Sequence, residues 1–261
     1  MVYALVGGWG YLGLNLVKLL PSCIVARKSS VQKRPFLKKY FEGVEVRLVN
    51  EFEEEELKGA LEGCEAMVYL AGKLKGSKEE MFDAHVKRAE EALRAAEKLG
   101  MRSIYISSVA AVGIAEDCLK EGYVVEEEEH LKGCKPVGAY SKSKAEGEKV
   151  ALRYGASVLR PALIWGEGGY YLEWKLLRLA KKFSILIPNM SASTVECVAK
   201  GIELGKGGKW YYVVDTTLKE LGFKVIEFKP PLKALELVPD PLKVALIPMR
   251  YRYKSERLEC R

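Results

Sequence analysis

The sequence predicts an α/β fold, a doubly wound parallel sheet with a small C-terminal α/β lobe. Three features of the 261-residue chain carry that prediction. Short apolar runs alternate with helix-length segments through the first half, the pattern of strands that return in parallel through crossover helices. Four glycines (Gly7, Gly8, Gly10 and Gly13) follow directly on the first apolar run. From about Glu167 the alternation weakens and helical patterns dominate a shorter remainder.

Taken in order, "VYALVG" is a buried strand, short, apolar and ended by glycine. "GYLGLNLVKLL" carries Leu12, Leu16 and Leu19/Leu20 on one helical face, and Pro21 stops it. "CIVAR" and "VEVRLVN" are the second and third strands, followed by the acidic helix "EFEEEELKGALEG". "EAMVYLAG" is the fourth strand, and "SKEEMFDAHVKRAEEALRAAEKLG" reads as one long helix ending at Gly100. "RSIYISS" is the fifth strand. Residues 109–138 then form an irregular stretch of a length usually kept for function. "AYSKSKAEGEKVALRYG" is helical, and "ASVLRPALIWG" is a strand with its exit. Beyond it, "YYLEWKLLRLAKK" and "TVECVAKGIELGKG" read as helices and "KWYYVVD" as a strand. The tail is punctuated by prolines and ends in the basic run "MRYRYKSER". No internal repeat is evident.

Composition narrows the function. Hydrophobic residues make up 49% of the chain and charged residues 30%, which suits a globular protein with a large core. No segment approaches the ~20 apolar residues of a membrane span, no secretion signal is expected, and a cytoplasmic location is the default. The net charge of +7 is spread along the chain among acidic runs, so nucleic acid is not an expected partner and a phosphorylated small molecule is. The six cysteines contain no CxxC pair, and no metal site is expected. Cys118 and Cys134 share the irregular stretch and could be bridged, although a cytosolic chain favours thiols.

The glycines form G-x-G-x-x-G at Gly8, Gly10 and Gly13, between a strand and a helix at the start of a βαβ series. That context points to dinucleotide binding. Gly7 and Gly8 allow the tight turn, Gly10 the approach of pyrophosphate, and Gly13 the close packing of helix on strand. Trp9, Tyr11 and Leu12 lie within the same loop, and Trp9 is expected to report on it. At the end of the second strand an NAD site usually carries an acid. "VARKSS" instead offers Arg27 to a 2′-phosphate, with Lys28, Ser29 or Ser30 assisting, so NADP is favoured over NAD. The missing acid also counts against a methyltransferase.

"AYSKSK" sets Tyr140 and Lys144 four residues apart on one helical face. A lysine beside a tyrosine favours phenolate, which is what a tyrosine acid–base needs. Ser107 and Ser108 end the fifth strand, where side chains face the cofactor cleft, and could hold a substrate oxygen.

Together, "GGWGYLG", "AMVYLAG", "YISSVAAVG", "AYSKSKAEGEKV" and "VLRPALIWG" resemble the extended short-chain dehydrogenase/reductase superfamily, its NAD-dependent epimerase/dehydratase-like branch. The likeness covers about residues 1–166. It implies a Rossmann-type NAD(P)-binding domain over 1–166 and a substrate lobe over 167–261, with some interleaving of the chain between them. It also implies Ser108, Tyr140 and Lys144 as the catalytic set, Ala71 and Gly72 lining the nicotinamide side, and Arg160–Pro161 opening the turn back over the cofactor. Dimerisation through the Tyr–Lys helix is common in the superfamily, so a homodimer is possible.

Three departures stand out. His85 occupies the place of a usual asparagine and is expected to face solvent rather than stand in for it. Cys197 lies where the lobe helix usually has an aspartate. "AGKLKGSKEEMFDAHV" is similar to a subgroup that includes the 39-kDa subunit of respiratory complex I, many of whose members lack the tyrosine arrangement. The expected function is an NADP-dependent oxidoreductase or epimerase/dehydratase acting on an alcohol/carbonyl pair of a small molecule. The alternative is a non-catalytic NADP-binding sensor or accessory subunit. Tyr170, Tyr171, Trp174, Arg250, Arg252 and Lys254 could read an aromatic or anionic substrate group, although packing is the favoured role.

Overall fold

The computed structural model describes residues 1–119, 124–125, 134–168 and 172–260. Its centre is built from β1 (Tyr3–Val6), β2 (Ser22–Arg27), β3 (Val46–Val49), β4 (Ala66–Tyr69), β5 (Arg102–Ile106), β6 (Ser157–Pro161) and β7 (Trp210–Val213). These seven pair in the order β3-β2-β1-β4-β5-β6-β7, every neighbour parallel. The order reverses at β1, so a crevice opens between the loops that leave β1 and β4, the usual ligand position in such sheets.

Alternation along each strand sends its side chains to two separate cores. Tyr3 and Leu5 of β1 face one cluster, which takes in Leu14, Leu16, Leu37 and Phe41 and, from α8 (Val195–Leu204), Val198 and Ile202. Ala4 and Val6 face the other, built with Leu57 and Leu61 of α3 (Glu54–Leu61), Ala92 and Leu93 of α5 (Arg88–Lys98), and Val150 and Ala151 of α6 (Gly138–Arg153). Both faces of the parallel sheet are therefore covered. A third cluster joins Val109, Val112 and Cys118 to Tyr212, Ile247, Tyr251 and Tyr253. The last stretch of chain thus returns to brace the segment after β5.

Several elements differ from the sequence expectation. The first helix, α1 (Tyr11–Leu16), ends before Pro21 because Lys18 and Leu19 bond back three residues, to Asn15 and Leu16. Between β2 and β3 lie α2 (Lys28–Lys33) and a 3-10 turn at Pro35–Tyr40. The long helix before β5 is interrupted: α4 (Lys78–Phe82) passes into a π-helical turn, Asp83–Lys87, before α5. Widening the helix there frees carbonyls, and two buried tyrosines take them. Tyr69 donates to Ala84 O at 2.6 Å and Tyr105 to His85 O at 3.0 Å. Cys197 is bonded to Cys260, while Cys118 and Cys134 are thiols. α7 (Leu172–Lys182), α9 (Leu232–Leu237) and α10 (Asp240–Arg250) complete the helices, and no described helix is long and apolar enough to cross a membrane.

Candidate active site

Because the seven strands run parallel, all their C-terminal ends fall on one edge. β1 delivers the glycine loop there, β2 Arg27, β4 the Leu70–Gly72 segment, β5 Ser107 and Ser108, and β6 Pro161.

Two glycines are required by close approach. Gly7 has φ +80°, and a Cβ on it would lie 2.6 Å from Ala71 Cα. A Cβ on Gly13 would lie 1.9 Å from the Gly8 carbonyl oxygen, so only glycine lets α1 sit this close to the strand exit. Gly10 precedes α1 in extended conformation and supplies no side-chain cap, leaving the first helical N–H groups without one. Trp9 turns away from this surface: it is 3% exposed, stacks on Phe41 at 4.6 Å, and donates through Nε1 to Arg34 O. Its apolar bulk outweighs its place in the loop, and the side chain joins the core. Leu12 is half-buried against the same core. Tyr11 Oη accepts from Gly166 N at 2.8 Å, and Asn15 both donates to Glu167 O and accepts from Glu167 N. This ties the chain leaving β6 directly to α1, and nothing in the sequence pattern singled out Asn15.

On α6, Tyr140, Lys144 and Glu148 stand at i, i+4 and i+8, one stripe facing the ends of β5 and β6. The Ser108 hydroxyl accepts from Ala110 N at 3.2 Å and lies near enough to Tyr140 to favour its phenolate. Burial nevertheless pushes the Tyr140 phenol up to about 12, with the Ser108 hydroxyl pulling the other way. The expected depression by Lys144 is therefore not expressed in the fold itself. The reason lies in where the ammonium goes: Lys144 Nζ donates to Ile106 O at 2.9 Å and sits 5.2 Å from the centre of the Tyr105 ring. Burial lowers the Lys144 pKa to about 8, partly opposed by Glu148.

His85 is fully buried, contrary to the solvent-facing expectation. The π-helical turn rotates it inward. Its Nε2 accepts from Lys73 N at 3.0 Å, which leaves the proton on Nδ1 to be donated to Ser143 Oγ at 2.8 Å. Ser143 donates in turn to Tyr140 O at 2.9 Å. The His85 ring stands edge-on to that of Tyr140, 5.4 Å between centroids. Burial first, and the Lys144 charge second, push its pKa down to about 2, so it is neutral at any working pH. A Cβ on Gly72 would come within 3.1 Å of His85 Nε2. A fixed histidine thus joins the β4 exit to the helix carrying Tyr140, and π-turns recur at such positions.

Ser107 and Arg160 belong to a different unit. Ser107 donates to Glu148 Oε1 at 2.6 Å, and Arg160 grips Glu148 with Nε–Oε1 2.8 Å and Nη2–Oε2 2.6 Å. Pro161 is buried at the end of β6. At the β2 end, Arg27 Nη1 pairs with Glu51 at 3.0 Å and its guanidinium lies over Phe52, while its Nε is buried without a partner. Lys28 donates to Asn50 Oδ1. Trp174 packs on Tyr11 and donates to Ile164 O. Arg250 bonds Glu116 and Pro230 O, and Arg252 pairs with Glu227. Tyr170 and Tyr171 lie outside the described residues.

The lowered Lys144 pKa has a stability consequence. Between about 8 and its ordinary 10.5 the unfolded chain binds the proton and the folded chain does not, so this group makes stability rise with pH across that window. Lys144→Met lacks the rise. On going from pH 7.5 to 9.5, wild type should gain on the order of 2 kcal/mol relative to the variant. Urea denaturation of both proteins at the two pH values checks it, and a constant gap would show that Lys144 is not shifted.

A parallel sheet of this order, with a glycine-rich turn leaving its first strand, is a Rossmann-like α/β fold of the extended short-chain dehydrogenase/reductase class. Residues 4–198 match the 3-beta hydroxysteroid dehydrogenase/isomerase family, and the chain belongs to it. That is a family of nicotinamide-dependent enzymes. Among solved structures, the chain is similar to UDP-glucuronic acid 4-epimerase from Bacillus cereus in complex with NAD, at 15% identity and TM-score 0.65, covering 83% of this chain and 78% of that one. It is also similar to dTDP-glucose 4,6-dehydratase from Bacillus anthracis in complex with NAD, at 17% and 0.64, covering 87% and 84%. A third likeness is to dTDP-4-dehydrorhamnose reductase from Bacillus anthracis in complex with NADP, at 17% and 0.59, covering 83% and 75%. Identities this low speak for the fold. No curated protein matches the sequence.

Proposed function

We propose that the protein is an NADP-dependent oxidoreductase or epimerase/dehydratase acting on an alcohol/carbonyl pair of a small molecule. The observation that carries this reading is the convergence of Tyr140 and Lys144 of α6 on the β4 and β5 exits: Lys144 Nζ is bonded to Ile106 O and would lie 3.7 Å from a Cβ on Gly72, and the Ser108 hydroxyl acts on the Tyr140 phenol. The residues fit a dinucleotide: α1 begins without a side-chain cap, and the Arg27 Nε is buried and unpartnered at the β2 end, where a 2′-phosphate would be read. Gly7, Gly8, the backbone of Trp9, Gly10 and Gly13 would hold the pyrophosphate, Ala71 and Gly72 the nicotinamide side, and Lys144 the ribose.

A bound nicotinamide supplies or takes up hydride. The chain's own residues do the rest. Ser108 orients the substrate oxygen. Tyr140 transfers the proton at that oxygen, and Lys144 holds positive charge on the phenol's side of the helix. The two NAD-bound neighbours and the NADP-bound one make a nicotinamide the common element; Arg27 is what favours NADP here.

Calorimetric titration of NADPH and NADH separately tests the reading. NADPH is expected to bind roughly 10- to 100-fold more tightly, the scale of one or two charge-assisted hydrogen bonds, and Arg27→Asp should erase that preference. Binding of neither would overturn the dinucleotide reading, and tighter NADH in wild type would overturn the choice of NADP.

A further inference from the structure

All six cysteines of the chain fall into three neighbouring pairs. Cys197 of α8 is bonded to Cys260 near the end of the chain. Cys23 of β2 and Cys64, just before β4, have sulfurs 3.3 Å apart. Cys118 and Cys134, both within the 109–138 stretch, pack in one hydrophobic cluster, and the Cys118 thiol helps to raise the Cys134 pKa. Every pair has the same build, one buried member (Cys23, Cys118, Cys197) and one half-buried member (Cys64, Cys134, Cys260). No cysteine is left over. We propose that the protein in its oxidised form carries three disulfides, Cys23–Cys64, Cys118–Cys134 and Cys197–Cys260, and that the two thiol pairs are sites of covalent cross-linking.

The geometry supports bond formation without rearrangement. Closing the Cys23–Cys64 gap to a bonding distance of ~2.05 Å takes a shift of little more than ~1 Å. The gain from leaving these groups as thiols is small, because an S–H is a weak donor and a sulfur a weak acceptor. Cys64 is the more accessible of the two, and burial and the neighbouring thiol both push Cys23 up to about 12, so Cys64 is the point of entry. The attack then runs in two exchanges. Cys64 loses its proton, attacks a small-molecule disulfide and expels one thiolate, leaving a mixed disulfide. Cys23 loses its proton, attacks Cys64 Sγ and expels the second thiolate. Two electrons pass to the external disulfide, which leaves as two thiols. In the second pair access alone sets the order: half-buried Cys134 meets the external disulfide, and buried Cys118 then attacks Cys134 Sγ and expels the second thiolate.

Each bond would tie a different joint. Cys23–Cys64 fastens β2 to the turn that feeds β4. Cys118–Cys134 closes the stretch whose ends are already held by the paired backbones of Ile114 and Lys135, immediately before α6. Cys197–Cys260 anchors the tail to α8. Together they staple elements distant in sequence, the kind of cross-link with most to gain in restricting the unfolded chain.

The test is a thiol count. Protein equilibrated with oxidised and reduced glutathione is unfolded in guanidinium containing N-ethylmaleimide, and intact mass and peptide mapping follow. No adduct on the untreated chain, six after prior reduction, and peptides cross-linked in the three stated pairs are expected. Adducts on any of Cys23, Cys64, Cys118 or Cys134, or a different pairing, would overturn the proposal. Cys64→Ser and Cys134→Ser serve as controls that need no stable reduced state: each should free one thiol, its buried partner's. Each should also lower the oxidised melting temperature by roughly 5–10 °C while leaving the reduced one nearly unchanged. An equal fall in both forms would count against the bond.

Discussion

Tyr140→Phe is expected to lower turnover by about 10²- to 10⁴-fold, the range for loss of a positioned proton donor, while nicotinamide binding is retained. The substitution removes one hydroxyl and keeps the ring, whose packing edge-on against His85 does not depend on it. Folding stability should change by no more than ~1 kcal/mol, the net scale of one hydroxyl's hydrogen bonding. Steady-state kinetics on a carbonyl substrate panel, calorimetry with NADPH and a melting curve separate the three quantities. Turnover unaffected by the change would remove Tyr140 from the reaction. Cofactor binding without turnover in wild type would favour the non-catalytic module. His85 should behave differently from Tyr140. It holds the Lys73–Ser143–Tyr140 chain but contacts no reacting atom, so its loss disturbs the placement of α6 before it disturbs any proton.

What could be read from the sequence divides along a physical line. Elements defined by period and punctuation were legible: strands ended by glycine, helices between them, and the parallel sheet that follows. So were residues whose job is a backbone constraint, as at Gly13, or a helical spacing, as at Tyr140 and Lys144. Less legible were side chains whose place is set by tertiary contact. Trp9 sits in the loop by sequence but in the core by volume. His85 looked like a surface residue of an acidic, basic-rich helix, and only the π-turn, stabilised by two tyrosine hydroxyls from neighbouring strands, brings it inside. Ser107 and Ser108 are adjacent in sequence, yet strand alternation sends the first to Glu148 and leaves the second to meet Tyr140. Arg27 read as free for a phosphate, whereas Glu51 from the β3 exit engages one of its nitrogens. The pairing of Cys197 across 63 residues left no local signal at all.

Glu148 is where the largest loss of stability is expected. Its carboxylate is 0% exposed and takes two bonds from Arg160, itself 1% exposed, plus one from Ser107. Removing it as Glu148→Ala takes a two-point carboxylate partner away from a buried guanidinium that lies near the Trp210 and Tyr212 rings. Stranding one member of a buried pair costs about 3–5 kcal/mol. The pair itself is not a net stabiliser of that size, because two charges had to be desolvated to form it. Replacing both, as Glu148→Leu with Arg160→Met, should therefore recover most of the loss. Urea denaturation of the two variants decides it. A cost below ~1 kcal/mol for Glu148→Ala would mean that water reaches Arg160 and that the pair is not sealed. The same carboxylate also raises the Lys144 pKa, one helical turn away. In Glu148→Gln the hydrogen-bonding shape survives and the charge does not, so Lys144 should titrate lower still and the stability window described for it should widen downward. One buried acid thus both holds β5, β6 and α6 together and sets the charge state of the lysine at the site.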